Sequence, residues 1–132
     1  KFGLISLDYS SRNYTGLNLS GDDFSDENLF FDNQLRKTSA LNVGTEWRIN
    51  KLSIRGGYIY KQSPDINAIK SDNLQSYSLG FGYNFGTVKF NLGYSTNNRT
   101  GSYNFYPQYS QVEAAELNID NTIITAGFSL SL

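Results

Sequence analysis

The 132-residue sequence has no cysteine and no histidine, only two prolines, and a formal net charge of -1. Without cysteine there is neither a disulfide framework nor a thiolate metal site. Without histidine the commonest general base and metal ligand is missing, which excludes imidazole chemistry within this segment. The near-neutral charge, a pI near 5.3 and the lack of any Lys/Arg cluster leave no basic field for nucleic acid. Also missing is any run approaching the roughly 18 apolar residues of a membrane-spanning helix. Mean hydropathy is -0.44, but a membrane β-strand faces lipid only with every second residue and averages out in a hydropathy window. The chain opens on Lys1, with neither an initiator methionine nor a signal-peptide core, and reads as a mature or internal piece.

What is present is aromatic: ten Tyr and nine Phe, beside twelve Gly, in a chain with 17% charged residues. That mixture favours strands. A period-two test along the chain finds the pattern repeatedly. In "LNVGTEWRIN", Leu41, Val43, Thr45, Trp47 and Ile49 oppose Asn42, Gly44, Glu46, Arg48 and Asn50. In "YSLGFGYNF", Tyr77, Leu79, Phe81, Tyr83 and Phe85 oppose Ser76, Ser78, Gly80, Gly82 and Asn84. "TVKFNLGYS" sets Val88, Phe90, Leu92 and Tyr94 against Lys89, Asn91, Gly93 and Ser95. "LSIRGGYIYK" sets Leu52, Ile54, Tyr58 and Tyr60 against Ser53, Arg55 and Lys61, with Ile59 out of phase. "GLISLDYSSR" places Ile5, Leu7 and Tyr9 opposite Ser6, Asp8 and Ser10, with Phe2 and Leu4 blurring its start. The last stretch, "NTIITAGFSLSL", alternates Ile124, Ala126, Phe128, Leu130 and Leu132 with Thr125, Gly127, Ser129 and Ser131.

The connections alternate in length. Tight turns fall at Asn50 and Lys51 and around Gly86 and Thr87, whereas residues 13–36, 62–73 and 97–118 form long polar loops. Short turns at one end and long loops at the other are the two ends of an outer-membrane barrel. Trp47, Phe85 and Phe128 lie toward the short-turn end, and Tyr9, Tyr58, Tyr60, Tyr77 and Tyr94 toward the long loops, as two aromatic girdles would. The alternative is a soluble sandwich or lipocalin-like barrel, in which the same alternation turns its apolar face inward. The membrane reading is preferred because the face opposite the aromatics is Gly, Ser and Asn rather than Lys and Glu, and because the loops are asymmetric. The expected fold is therefore all-β, an antiparallel transmembrane barrel segment.

Several stretches carry a family likeness: "LISLDYSSRNYTG", "ALNVGTEWRINKLSIRGGYIYKQSP", "LGFGYNFGTVKFNLGYS", "YNFYPQYSQ" and "NTIITAGFSLSL". Together they resemble the C-terminal part of the FadL/TodX family of outer-membrane transporters for long-chain fatty acids and hydrocarbons, especially its Bacteroidota members. The likeness spans nearly the whole chain, and its most specific parts are the "GTEWRI…LSIRGGY" hairpin and the segment at Tyr106 and Pro107. It implies a barrel of about fourteen strands around an N-terminal hatch, within the strand numbers such barrels take, of which residues 1–132 are the C-terminal portion. It also implies a Gram-negative outer membrane, hydrophobic small-molecule cargo, and ligand pockets built mostly outside this sequence. Some relatives serve instead as structural or shuttle subunits of secretion machines, which is the second functional reading. One departure is Leu132, where outer-membrane barrels usually end on an aromatic residue.

Contact with cargo falls to the polar face: Asp8, Arg12, Glu46, Arg48, Arg55, Lys61 and Lys89. A carboxylate cargo would want one of the cations, but a cross-strand charge network of Glu46, Arg48 and Arg55 filling the interior is the preferred reading. The acidic loop carrying Asp22, Asp23, Asp26 and Glu27 lacks the ligand spacing of an EF-hand, so a solvated loop is preferred over a calcium site. Tyr103, Phe105, Tyr106 and Tyr109 crowd the last loop, to pack it or to greet apolar cargo. Neither catalysis nor a cofactor is expected. The expected partners are the lipid bilayer, the cargo, the remaining N-terminal strands of the barrel, and protein partners if it joins a larger complex.

Three structural expectations follow. Strands should cover residues 2–14, 36–50, 51–62, 73–86, 87–97 and 118–132. Tyr77, Leu79, Phe81, Tyr83 and Phe85 should face lipid, with Ser78, Gly80 and Gly82 facing the lumen. The six strands should not close on themselves, because about eight is the smallest number seen in such barrels.

Overall fold

A computed structural model describes residues 2–103, 105, 111 and 114–130, apart from the side chains of Asp22, Ser102 and Tyr103. The expectations placed on Lys1, on the Tyr103 side chain, and on Tyr106, Pro107, Tyr109 and Leu132 fall outside that range. The strands are β1 (Phe2–Asn13), β2 (Lys37–Ile49), β3 (Leu52–Lys61), β4 (Leu74–Asn84), β5 (Val88–Tyr103) and β6 (Ala115–Leu130). They form one antiparallel sheet in sequence order, in which each strand pairs with its predecessor and successor. β1 and β6 each pair on one side only, so the sheet is open, as expected.

The register carries the two faces across all six strands without a slip. On one face the rows run Ile5, Thr45, Gly56, Leu79, Tyr94, Ile124 and Gly3, Trp47, Ile54, Phe81, Leu92, Ala126. On the other they run Ser6, Gly44, Gly57, Ser78, Ser95, Ile123 and Phe2, Arg48, Ser53, Gly82, Asn91, Gly127. A one-residue slip at any ladder would exchange the faces, so the agreement of five ladders shows that the alternation decides the pairing.

Exposure runs opposite to that of a soluble sheet. No hydrophobic side chain among the described residues is buried, and only Thr38 and Asn73 are. Along β4, Tyr77, Leu79 and Phe81 are exposed while Ser76, Ser78 and Gly80 are partly covered and Gly82 is buried. On β5, Leu92 and Tyr94 are exposed while Asn91, Gly93 and Ser95 are partly covered. In this central part of the sheet the polar face is the more covered one, while β1 is exposed on both faces and β6 nearly so.

The strands depart from their expected limits in one region. β5 and β6 continue past the expected ends at residues 97 and 118, pairing Asn98 with Asp120, Arg99 with Ile119, Thr100 with Asn118 and Gly101 with Leu117. There the alternation changes sense, with Asn98, Thr100, Asn118 and Asp120 on the aromatic face and Arg99, Gly101, Leu117 and Ile119 on the other, so a pattern carried along from the middle of the sheet does not register the extension. The Thr100 hydroxyl donates to Asp72 Oδ1 (2.7 Å), tying this extension to the β3–β4 loop.

The first long loop holds a helix, α1 (Ser25–Gln34), where loop was expected. Asp26 and Glu27 in its first turn favour the helix through the positive end of its dipole. Its apolar residues, Leu29, Phe30 and Phe31, are consecutive rather than spaced along one face, so no helical period was legible. The Asn28 side chain anchors it, accepting from Leu19 N–H (2.8 Å) and donating to Leu19 O (3.0 Å). Beyond α1, Leu35 bridges Asp65, and Arg36 N–H donates to Pro64 O (2.8 Å), so the first two long loops are bonded to each other.

The short turns are simpler. Asn50 takes a left-handed backbone (φ 55), which Asn tolerates better than most residues, and Gly86 takes φ 104. Asn84 Oδ1 accepts from Gly86 N–H (2.9 Å), closing the β4–β5 turn. Asn50→Ala is expected to cost about 1 kcal/mol, the penalty of a β-carbon in that region, while Asn50→Gly is neutral or better. Equilibrium unfolding in urea, followed by the fluorescence of Trp47, measures both.

Candidate functional site: a basic wall on the polar face

Every second residue of each strand contributes to the polar face, and its charges are uneven. Arg12, Arg48, Arg55, Lys61, Lys89 and Arg99 project there, against Asp8 and Glu46. Most of the chain's remaining carboxylates, including Asp23, Asp26, Glu27, Asp32, Asp65 and Asp72, lie in the long loops. A net charge of -1 thus conceals a basic wall beside an acidic rim.

Glu46, on β2, organises the densest part of this wall. Its carboxylate accepts from Arg48 Nε through Oε1 (2.6 Å), and Arg55 Nε lies 3.4 Å from Oε2. Glu46 and Arg55 are direct cross-strand partners, and Arg48 is two residues along the same face of β2. The cross-strand charge network expected from the sequence is therefore present.

Arg55 also reaches beyond its own strand. Its Nη1 donates to Asn91 Oδ1 on β5 (3.3 Å), although β4 lies between. Glycine permits the crossing. A β-carbon at Gly80 would lie 3.2 Å from Arg55 Cβ, and one at Gly82 would lie 2.8 Å from Asn91 Oδ1 and 3.6 Å from Arg55 Nη1. The β4 glycines form a lane in which the arginine lies flat.

Lys89 joins this group, lining with Arg48, Lys51, Ser53, Arg55 and Asn91 a cleft of about 210 Å³ at the short-turn end. Arg12 and Lys61 stand apart, lining a second cleft of about 250 Å³ near the long loops with Thr38, Asn42 and Ile59. Asp8 belongs to neither, accepting a hydrogen bond from Asn42 Nδ2 (2.9 Å). Lys51, Ser53 and Asn91 were not singled out from the sequence, and their place on the polar face or in its turn was the signal available. Among the described residues no group of carboxylates gathers as a metal site, the acidic loop included.

The girdle aromatics occupy the other face, whereas Phe2 falls in the polar-face row of Arg48. Tyr58 and Tyr77 are cross-strand partners with ring centroids 5.0 Å apart, and Tyr9 and Tyr60 flank Leu41 one row further toward the long loops. Tyr94 sits nearer the middle of the sheet, between Leu79 and Ile124. At the other end Phe85 packs on Tyr83 (4.7 Å), Phe128 on Phe90 (5.0 Å), and the Trp47 ring lies over Gly3.

Comparison with protein-family models, characterised proteins and solved structures finds no match for this chain. Its functional reading rests on the sequence pattern and on the geometry of the two faces.

The glycine lane is directly testable. Gly80→Val is expected to destabilise the fold by about 1 to 3 kcal/mol, the range for overpacking, by pressing on Arg55. Gly93→Ala, where the nearest atom to the new methyl is 4.0 Å away, should stay within about 0.5 kcal/mol of wild type in the same urea titration.

Proposed function

We propose that this chain forms part of the wall of a transmembrane β-barrel in the outer membrane of a Gram-negative bacterium, and that the barrel passes hydrophobic small molecules such as long-chain fatty acids or hydrocarbons. The observation that carries the first part is the two-faced sheet, with exposed Ile5, Leu7, Leu79, Phe81, Ile124 and Phe128 on one face and a polar, ion-paired face behind it. In water so extended an apolar surface demands a cover. Hydrocarbon supplies one over the whole face, and the strands satisfy their backbone groups laterally, as a bilayer requires. A soluble sandwich would enclose the aromatic face instead.

The open edges of β1 and β6 fit the same reading. Unpaired backbone groups in hydrocarbon cost several kcal/mol each, so further strands of the same barrel would complete the ladder on both sides. β5 and β6, each 16 residues long, exceed the roughly 9 to 11 residues a tilted strand needs to cross. Their far ends, where Asn98, Thr100, Asn118 and Asp120 take the place of apolar residues on the aromatic face, would stand outside the bilayer with the long loops.

The transport reading draws on the family resemblance and on the apolar side chains those loops leave exposed: Leu17, Leu19, Leu29, Phe30, Ile66 and Ile69. They offer hydrophobic cargo a first contact at the mouth. The same residues, α1 above all, would equally suit a protein partner, which supports the second reading of a structural or shuttle subunit in an outer-membrane complex.

Leu79→Arg separates membrane from water. On a lipid-facing strand it is expected to cost about 2 to 4 kcal/mol near the midplane, while Ser95→Arg on the polar face is tolerated. If Leu79→Arg leaves refolding into liposomes unchanged, the barrel reading fails. Trp47, the only tryptophan, should lose fluorescence to brominated phospholipids and resist aqueous acrylamide. A photo-crosslinker at Phe30 in the full-length protein in cells then divides the two functional readings: adducts with lipid-like molecules favour transport, and a discrete protein adduct favours the subunit role.

A further inference from the structure

We infer that the cleft lined by Arg48, Lys51, Arg55 and Lys89 is a binding site for a compact phosphate-type oxyanion. This goes beyond the passage of hydrophobic cargo and does not depend on it. Four cations line the cleft, and Glu46 reaches two of them, Arg48 and Arg55. One carboxylate cannot neutralise four cations. Among the described residues of β2 to β5, which build the cleft, Glu46 alone forms an ion pair with these cations.

The donors still open define the ligand. Arg48 gives its Nε to Glu46, which leaves its two terminal nitrogens without a partner among the described residues. The ammonium groups of Lys51 and Lys89 likewise have no hydrogen-bond or ion-pair partner among the described residues. Arg55 is pinned by Glu46 on one side and Asn91 on the other, so its charge is held in place rather than free to swing away. The Ser53 hydroxyl adds a neutral donor to the same cleft.

A tetrahedral oxyanion with two charges takes many donors around a small volume, whereas a carboxylate offers two oxygens on one side. Beside the cations the cleft is lined by Asn50, Ser53, Gly82, Asn84 and Asn91, with Tyr83 and Phe90 in its wall, so the donors gathered there, more than two carboxylate oxygens can use, select the ligand. At about 210 Å³ the cleft holds such an anion with part of its hydration shell. Free inorganic phosphate and a phosphomonoester on a lipid headgroup share this chemistry.

The test uses the full-length protein in neutral detergent, with inorganic phosphate titrated by calorimetry at low ionic strength. Saturable binding is expected, weakened about tenfold by Lys89→Gln and by Arg55→Gln, as for loss of one charge-assisted hydrogen bond. Lys70→Gln, in the distant β3–β4 loop, should leave it unchanged. Glu46→Gln should tighten binding, because it removes the one carboxylate competing for the guanidiniums. If Arg55→Gln does not fold, Lys89→Gln carries the comparison. No saturable binding, or equal weakening by Lys70→Gln and Lys89→Gln, overturns the site. Competition by short-chain phosphatidic acid would assign a lipid phosphomonoester as a source, and its failure to compete would assign the free ion.

Discussion

The structure depends on a sheet whose backbone is satisfied sideways and whose apolar side chains find nothing among the described residues to bury them. In most domains hydrophobic burial is the dominant favourable term. Here no hydrophobic side chain among the described residues is buried, so the β-ladders hold the strands in register while the side chains wait for a medium. The proposed bilayer would turn this arrangement from a liability into a requirement. Hydrocarbon leaves backbone hydrogen bonds no competitor and accepts Leu79, Phe81 and Ile124 without demanding a packed partner.

The same geometry explains how charge is placed. With one face given to apolar residues, the other face has to hold the polar ones, and there the side chains meet at strand spacing. Glu46 bridges two arginines, and Arg55 crosses β4 only because positions 80 and 82 lack side chains. The glycines of "LGFGYNF" therefore do more than punctuate an aromatic strand. They leave room for a residue of the neighbouring strand to reach the strand beyond it.

The long-loop end follows a different logic. Its order comes from local hydrogen bonds: Asn28 on Leu19, Leu35 beside Asp65, Thr100 on Asp72, Asn73 Oδ1 accepting from Ser63 N–H. Thr38 and Asn73, the buried polar side chains among the described residues, are both there. The loops thus form a bonded cap on the sheet and still leave Leu29, Phe30 and Ile69 facing outward.

Six strands, their order, their faces and the tight turns at Asn50 and Gly86 were all legible in the sequence. An apolar residue at every second position needs no knowledge of its neighbours to declare its face, and left-handed turn positions favour Asn and Gly. The network of Glu46, Arg48 and Arg55 was legible for the same reason. The helix α1 was not, since Leu29, Phe30 and Phe31 carry no period, and neither were β5 beyond residue 97 and residues 115–117 of β6, where the alternation changes sense. Only the tertiary structure set Lys89 and Lys51 beside Arg48 and Arg55 and laid Arg55 along Gly80 and Gly82. Such contacts depend on the register between strands, a property of pairs that no single strand's pattern contains.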